Sequence, residues 1–126
     1  MRSGLRMAVV GAGYLGRHHA RILSQMPGVT LAAIVDVNRA RAADVAAACG
    51  ARPLGDVAEL DLADIDAVTI AAPTAVHHAL ARPLLDRGIA VLVEKPIART
   101  LEEADDLIAA AARAPAVLGV GHTERF

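Results

Sequence analysis

The chain has 126 residues, of which 55% are hydrophobic and 21% are charged, and its formal net charge is -1. This composition excludes a disordered chain, and the near-zero charge with few aromatic residues argues against binding to nucleic acid or to an anionic membrane. The single cysteine, Cys49, excludes an internal disulfide and fits a reducing compartment. No apolar run is long enough to cross a bilayer, so the sequence predicts one cytoplasmic domain over residues 1–126.

Strand and helix patterns alternate along the chain. Short apolar runs predict six strands, and segments with helical periodicity lie between them. The predicted strands are residues 5–11, 30–36, 51–54, 67–72, 90–94 and 116–121, and the predicted helices are residues 14–26, 39–49, 75–88 and 101–114. This alternation predicts an α/β fold with crossover connections, and right-handed crossovers favour a doubly wound, parallel six-stranded sheet.

Polar residues stand at the starts of three predicted helices. Asn38 is placed to cap the second helix, and Thr74 the third. Thr100 and Glu103 have the T-x-x-E spacing of a capping box at the start of the fourth helix. The third helix contains Pro83, which we expect it to tolerate only with a kink or a restart at that position.

The first predicted strand runs into the sequence GAGYLG, residues 11–16, which has the G-x-G-x-x-G pattern. The pattern alone is weak, but here it follows a strand and opens a helix, which is the arrangement of a dinucleotide-binding turn. Gly11 permits the tight turn, Gly13 lets a pyrophosphate approach the backbone, and Gly16 lets the helix lie close to the strand. Tyr14 and Leu15 open the helix, whose N-terminal N–H groups attract phosphate.

Asp36 lies twenty positions beyond the last glycine, at the end of the second predicted strand. A carboxylate at this position accepts hydrogen bonds from the adenosine ribose and repels a 2′-phosphate, so the sequence predicts NAD in preference to NADP. Arg39 and Arg41 follow. An arginine here can accommodate a 2′-phosphate, but we favour the interpretation that both are exposed residues of the next helix.

Two histidine pairs, His18-His19 and His77-His78, suggest a metal site at first sight. Neighbouring residues on a helix point about 100° apart, so neither pair chelates well from one face, and we predict no metal site. His77 and Thr74 follow the fourth strand, on the same sheet edge as the glycine turn. They either line the nicotinamide half of a cofactor site, as we predict, or are a surface histidine and a helix cap.

The fifth predicted strand ends in Glu94-Lys95-Pro96. Charges and proline are common where a strand reaches the surface, so the tripeptide alone has a purely structural explanation. In a parallel sheet, however, Lys95 emerges on the same edge as the glycine turn and Asp36, where ligands bind. A lysine there can contact a substrate hydroxyl beside the nicotinamide and help to move its proton, so Lys95 is the candidate catalytic residue.

Five segments of the chain resemble those of a known family. The segments VVGAGYLGRHHARIL, VDVN, AAPTAVHH, LVEKPIA and VGHTERF are similar to the Gfo/Idh/MocA oxidoreductases, named for glucose–fructose oxidoreductase and inositol dehydrogenase. The resemblance implies a Rossmann domain that binds NAD, with Lys95 as the catalytic or substrate-contacting lysine. It also implies that Glu94 helps to hold Lys95 at the cofactor site, and that a cis peptide bond precedes Pro96. GHTERF resembles members that act on nucleotide sugars, including those that oxidise UDP-N-acetylglucosamine at carbon 3.

Members of this family continue into a second α/β domain that supplies most of the sugar pocket, a catalytic histidine and the oligomer interface. The resemblance therefore implies that this substrate domain is absent from the 126 residues. We expect the cofactor half of an NAD-dependent sugar or nucleotide-sugar dehydrogenase, inactive alone and homo-oligomeric at full length. The alternative is a stand-alone NAD-binding module that acts as a sensor or as a subunit.

Overall fold

The structure is a computed structural model that describes residues 4–121. Within these residues, six strands alternate with four α-helices. The strands are β1 (Leu5–Val10), β2 (Val29–Val35), β3 (Arg52–Leu54), β4 (Ala67–Ile70), β5 (Ala90–Glu94) and β6 (Leu118–Gly121). The helices are α1 (Tyr14–Gln25), α2 (Arg39–Cys49), α3 (His77–Asp86) and α4 (Leu101–Arg113), and short 3₁₀ turns cover Val57–Glu59, Leu62–Asp64 and Thr74–Val76.

The strands form one parallel sheet in the order β3-β2-β1-β4-β5-β6. The predicted doubly wound Rossmann arrangement is confirmed. The strand order reverses at β1, which pairs with β2 on one side and β4 on the other. A sheet of this kind has a crevice outside the carboxyl ends of its strands at the point of reversal. The segments that follow β1 and β4 therefore flank the crevice.

Two apolar layers cover the sheet, because successive residues of a strand point to opposite faces. Val9 of β1 and Ile34 of β2 pack with the alanine-rich helices α1 and α2 on one face. Ala8, Val10 and Val35 pack on the other face, together with buried residues of α3 and α4. Burial on both faces explains why these strands are continuous apolar runs.

The start of α2 follows the prediction, whereas the start of α4 follows it only in part. Asn38 Oδ1 accepts a hydrogen bond from the N–H of Arg41 at 3.1 Å. At α4, Thr100 Oγ1 accepts from the N–H of Glu103 at 3.1 Å, as the capping box requires. The Glu103 carboxylate, however, accepts from the N–H of Arg99 at 3.3 Å, so the reciprocal half of the predicted box is wrong.

The start of α3 was predicted incorrectly. Thr74 opens a 3₁₀ turn, Thr74–Val76, and α3 begins only at His77. Among the described residues no side chain caps the N-terminus of α3, so the predicted capping role of Thr74 is wrong. The helix continues through Pro83 to Asp86 without a restart.

Candidate functional site

The glycine turn after β1 has the geometry that its sequence predicts. Gly11 has a φ of 104°, a left-handed conformation that favours glycine. A Cβ on Gly16 would lie 1.7 Å from the carbonyl oxygen of Gly11, so only glycine allows α1 to pack this close to the turn. A Cβ on Gly13 would have no heavy atom within 4 Å beyond its chain neighbours. The backbone at Gly13 therefore faces open space.

The N-terminus of α1 borders this open space. Gly13 is the N-cap residue, and no side chain among the described residues caps the first turn, which contains Tyr14, Leu15 and Gly16. The first N–H groups of a helix have no partner within the helix and carry the positive end of its dipole. The turn thus offers unpaired donors beside a backbone with no Cβ, and this arrangement fits a pyrophosphate.

Asp36 follows β2 and is bonded directly to the glycine turn. It is 7% exposed. Its Oδ2 accepts from the N–H of Ala12 at 2.7 Å, and its Oδ1 accepts from the N–H of Asn38 at 2.8 Å. The guanidinium of Arg41 donates to both oxygens, from Nε and from Nη2, each at 3.3 Å. Burial alone raises the pKa of Asp36, but the hydrogen bonds from Ala12 and Asn38 and the charge of Arg41 outweigh burial and lower it.

A cleft of about 630 Å³ lies at the carboxyl edge of the sheet, around these groups. Its walls come from the segments after β1, β2, β3 and β4 and from one side of α3. Of the lining residues, Gly11, Gly13 and Asp36 were predicted from the sequence. Arg41 also lines the cleft, although we favoured an exposed position for it, and several other lining residues were not predicted: Gly55, Asp56, Val57, Pro73 and Val76. Their position just after the ends of parallel strands is the signal that would have found them.

His77, which we predicted among the cofactor-binding residues, lies in the interior and is not among the residues that line the cleft. The side chain is 2% exposed. Its Nε2 lies 2.8 Å from the carbonyl oxygen of Ala72, and its Nδ1 lies 3.2 Å from the carbonyl oxygen of Ile97. Both ring nitrogens thus face backbone carbonyls, and His77 connects the segment after β4 to the segment after β5. Thr74 is half-buried in the first of these segments, beside the cleft.

Lys95 lies at the carboxyl end of β5, on the sheet edge that the sequence predicted, and its side chain is exposed. Its N–H donates to the carbonyl oxygen of Gly121 at 3.0 Å, which continues the pairing of β5 with β6. The Lys95–Pro96 peptide bond is cis, so that prediction is confirmed. The segment GHTERF continues from Gly121 into residues 122–126, outside the described residues.

The carboxylate of Glu94 faces α1. Its Oε2 lies 3.7 Å from Nε2 of His19, and both side chains are largely buried. Glu94 Oε1 and His19 Nδ1 are buried with no hydrogen-bond partner among the described residues. Burial lowers the pKa of His19, the charge of Glu94 acts in the opposite direction and His18 adds to the lowering; the net pKa is below the usual value. From the sequence, His19 was considered only as a candidate metal ligand, and its contact with Glu94 was not predicted.

Two further features are absent from residues 4–121. In that range, no group of three or more His, Cys, Asp or Glu side chains is arranged to hold a metal ion. None of the helices there has the length and apolar character needed to cross a membrane.

Comparison with known proteins agrees with this geometry. Residues 5–122 match the family model described as oxidoreductase family, NAD-binding Rossmann fold, the Gfo/Idh/MocA family. The chain belongs to this family. Its domain is the NAD-binding Rossmann domain of the Gfo/Idh/MocA oxidoreductases, as the resemblance implied.

The curated relatives of this Gfo/Idh/MocA chain are much longer than the chain itself. It is 42% identical over 124 residues to a UDP-N-acetylglucosamine 3-dehydrogenase of Acidithiobacillus ferrooxidans, covering 96% of this chain and 38% of the relative. It is 35% identical over 127 residues to inositol 2-dehydrogenase 3 of Saccharopolyspora erythraea, covering 97% of this chain and 37% of the relative. The chain therefore spans less than two-fifths of the length of these relatives.

Solved structures also match almost all of this chain with only part of their own length. The domain superposes on GenD2 from gentamicin A biosynthesis, solved in complex with NAD, with a TM-score of 0.88 and 36% identity. That match covers 96% of this chain and 35% of GenD2. The Rossmann domain of this Gfo/Idh/MocA member is thus close in structure to that of a protein crystallised with NAD.

Proposed function

We propose that this chain is the cofactor-binding part of an NAD-dependent oxidoreductase that oxidises a hydroxyl group of a sugar or nucleotide sugar. The observation that carries the proposal is the buried hydrogen bond between Ala12 and Asp36. This bond supports the proposal, because it holds a carboxylate suited to an adenosine ribose directly beside a turn suited to a pyrophosphate. The names of the relatives support the substrate class, and UDP-N-acetylglucosamine oxidised at carbon 3 is the first candidate.

In this proposal each group of residues has a separate task. The backbone of residues 11–16 holds the pyrophosphate, and Asp36 accepts the hydroxyl groups of the adenosine ribose. NAD, when bound, supplies the acceptor for a hydride from the alcohol carbon. Lys95 contacts the substrate hydroxyl and, in its neutral amine form, receives the hydroxyl proton at Nζ. Thr74 and Glu94 belong to the segments that surround the nicotinamide side, and His77 holds two of those segments together.

The proposal also covers features of the whole protein. Hydride transfer requires the alcohol carbon within about 3–3.5 Å of the nicotinamide in an aligned pose, so a substrate must be held from more than one side. Lys95 provides one contact from the sheet edge. We propose that a substrate domain provides the others, that the complete enzyme is a cytoplasmic homo-oligomer, and that residues 1–126 form one cofactor domain with little turnover alone.

Calorimetry with NAD and NADP tests the cofactor part of the proposal. We expect NAD to bind more tightly, because Asp36 places negative charge where a 2′-phosphate would lie. Equal or tighter binding of NADP would contradict the role given to Asp36.

Turnover tests the enzyme part. The chain is incubated with NAD and either UDP-N-acetylglucosamine or inositol, with and without an added substrate domain from a relative, and NADH absorbance is followed. We expect NADH only when the substrate domain is present, and we expect Lys95→Met to abolish its formation even at NAD concentrations that saturate the variant. NAD binding without turnover under every condition would favour the sensor or subunit alternative.

A further inference from the structure

Every acceptor position of the Asp36 carboxylate has a donor in this structure. A carboxylate offers about four lone-pair positions. The N–H groups of Ala12 and Asn38 take one position on each oxygen, at 2.7 and 2.8 Å. Nε and Nη2 of Arg41 take the others, at 3.3 Å each. The two backbone donors are fixed by the fold and belong to the turn and to the chain after β2.

The Arg41 side chain is the partner that a ligand can replace. Its hydrogen bonds are the longer pair, and the side chain is 46% exposed, whereas the Asp36 side chain is 5% exposed. Arg41 also lines the cleft. The hydroxyl groups of an adenosine ribose require acceptor positions on Asp36, and the only positions not held by backbone are those that Arg41 occupies.

We propose that Arg41 is a competing intramolecular ligand of Asp36, which the adenosine ribose must displace, and that Arg41 thereby limits affinity for NAD and sets the margin of its preference over NADP. This inference rests on the proposed NAD-binding function. The displaced guanidinium stays next to the ribose site, because its backbone is in the first turn of α2. There it is available to a 2′-phosphate, which NADP has and NAD lacks. Removal of Arg41 therefore increases the preference for NAD over NADP in two ways: it frees Asp36 for the ribose, and it removes the partner of the 2′-phosphate.

Arg39 provides a matched control in the same turn of the same helix. Its guanidinium pairs with Glu59 at 2.9 Å, and among the described residues it makes no hydrogen bond or ion pair with Asp36. Neither residue of that pair lines the cleft. Arg39→Met and Arg41→Met remove the same charge and keep a similar unbranched stem, so a difference between them reports on the contact with Asp36 and not on net charge or on helix propensity.

The test is calorimetry of NAD and NADP binding to the wild-type chain and to both variants. We expect Arg41→Met to bind NAD roughly two- to fivefold more tightly, the range of a partly exposed ion pair, and to bind NADP more weakly. Arg39→Met should match the wild type with both cofactors. A second readout is the ¹⁵N resonance of Arg41 Nε in the free chain, which should shift when NAD is added to saturation.

The outcomes separate the inference from the proposed function. Equal or weaker NAD binding by Arg41→Met, or an Arg41 Nε resonance that does not respond to NAD, overturns the competition while leaving NAD binding intact. Failure of the wild type and of both variants to bind NAD overturns the proposed function, and the inference with it. Tighter NAD binding by Arg39→Met as well would assign the effect to overall charge and also overturn the inference.

Discussion

The N–H of Ala12 donates to Oδ2 of Asp36 at 2.7 Å, so one buried hydrogen bond joins the glycine turn after β1 to the end of β2. The bond has two consequences. It orients the carboxylate towards the cleft, and it makes the ionised form of Asp36 part of the stability of the fold. A change at Asp36 therefore affects stability as well as cofactor binding.

Asp36 should give the domain an acid-sensitive contribution to stability. Because its pKa is lowered in the folded chain, the folded state binds fewer protons than the unfolded state as the pH falls. The contribution is complete above the unfolded pKa of about 3.9 and is lost as the pH falls from there through the folded pKa. Urea unfolding between pH 7 and pH 3 should show a smaller decline for Asp36→Asn than for the wild type. Parallel curves would contradict this assignment.

Two glycines of the same turn should respond differently to alanine. In Gly16→Ala the new Cβ would lie 1.7 Å from the carbonyl oxygen of Gly11, so the turn or the helix must move. We expect a loss of more than about 2 kcal/mol in the free energy of unfolding. In Gly13→Ala the Cβ meets open space, so stability should stay within about 0.5 kcal/mol of the wild type. Its NAD affinity should nevertheless fall by about tenfold or more, because the methyl group occupies the approach of the pyrophosphate.

Urea titration and calorimetry on both glycine variants provide these values. If Gly13→Ala binds NAD like the wild type, the open side of Gly13 is not where the pyrophosphate approaches.

His77 should be important for stability despite its position near the cleft. Its ring lies between the carbonyl oxygens of Ala72 and Ile97 in a buried site, so His77→Ala leaves a cavity and removes the ring N–H that donates to one of these carbonyls. We expect a loss of about 2–4 kcal/mol in the free energy of unfolding. Hydrogen exchange should become faster in residues 71–76 and 95–100 ahead of the rest of the sheet.

The neighbouring His78 is the control for this variant. Its ring pairs with Asp106 at the surface, at 2.7 Å, so His78→Ala should lower stability by no more than about 1 kcal/mol. Equal losses for the two variants would show that the bridge made by His77 contributes little.

His19 should contribute a second pH dependence, near neutrality. Burial, only partly offset by Glu94, lowers its pKa, so the folded state resists protonation that the unfolded chain accepts at about pH 6.5. Stability should therefore decrease as the pH falls below about 6.5 and continue to decrease down to the folded pKa. In His19→Gln, the urea midpoint should change less between pH 7.5 and pH 5.5 than it does in the wild type. In His18→Gln, on the exposed side of α1, it should change as in the wild type. A wild-type midpoint constant over that range would refute the prediction.

The sequence was sufficient for features that depend on local patterns. Short apolar runs predicted the six strands, and the G-x-G-x-x-G spacing predicted a turn in which Gly11 and Gly16 are required by backbone contacts. Asp36 was predicted because its position at the end of a strand follows from the motif. In each case the deciding residues are neighbours in sequence or are placed by the regular geometry of a parallel sheet.

Two of the errors concern contacts between segments that are distant in sequence, and others are local. Ile97 is twenty residues from His77, so nothing near the histidine indicated that both ring nitrogens face carbonyls. The sequence pattern does not distinguish the two arginines after Asp36, Arg39 and Arg41. They differ in the structure because Arg39 contacts Glu59, which reaches it through the loop after β3. The sequence predicted Thr74 as a cap because the spacing of hydrophobic residues does not distinguish the 3₁₀ turn before α3 from the first turn of the helix.

The turn at residues 11–16 presents peptide groups, rather than side chains, to the open space beside Gly13. Peptide groups are common to all residues, so an evolving lineage can exchange most amino acids around such a turn and retain its shape, provided that the glycines are kept. Proteins of such a lineage can come to act on different substrates while their cofactor domains keep the same backbone structure.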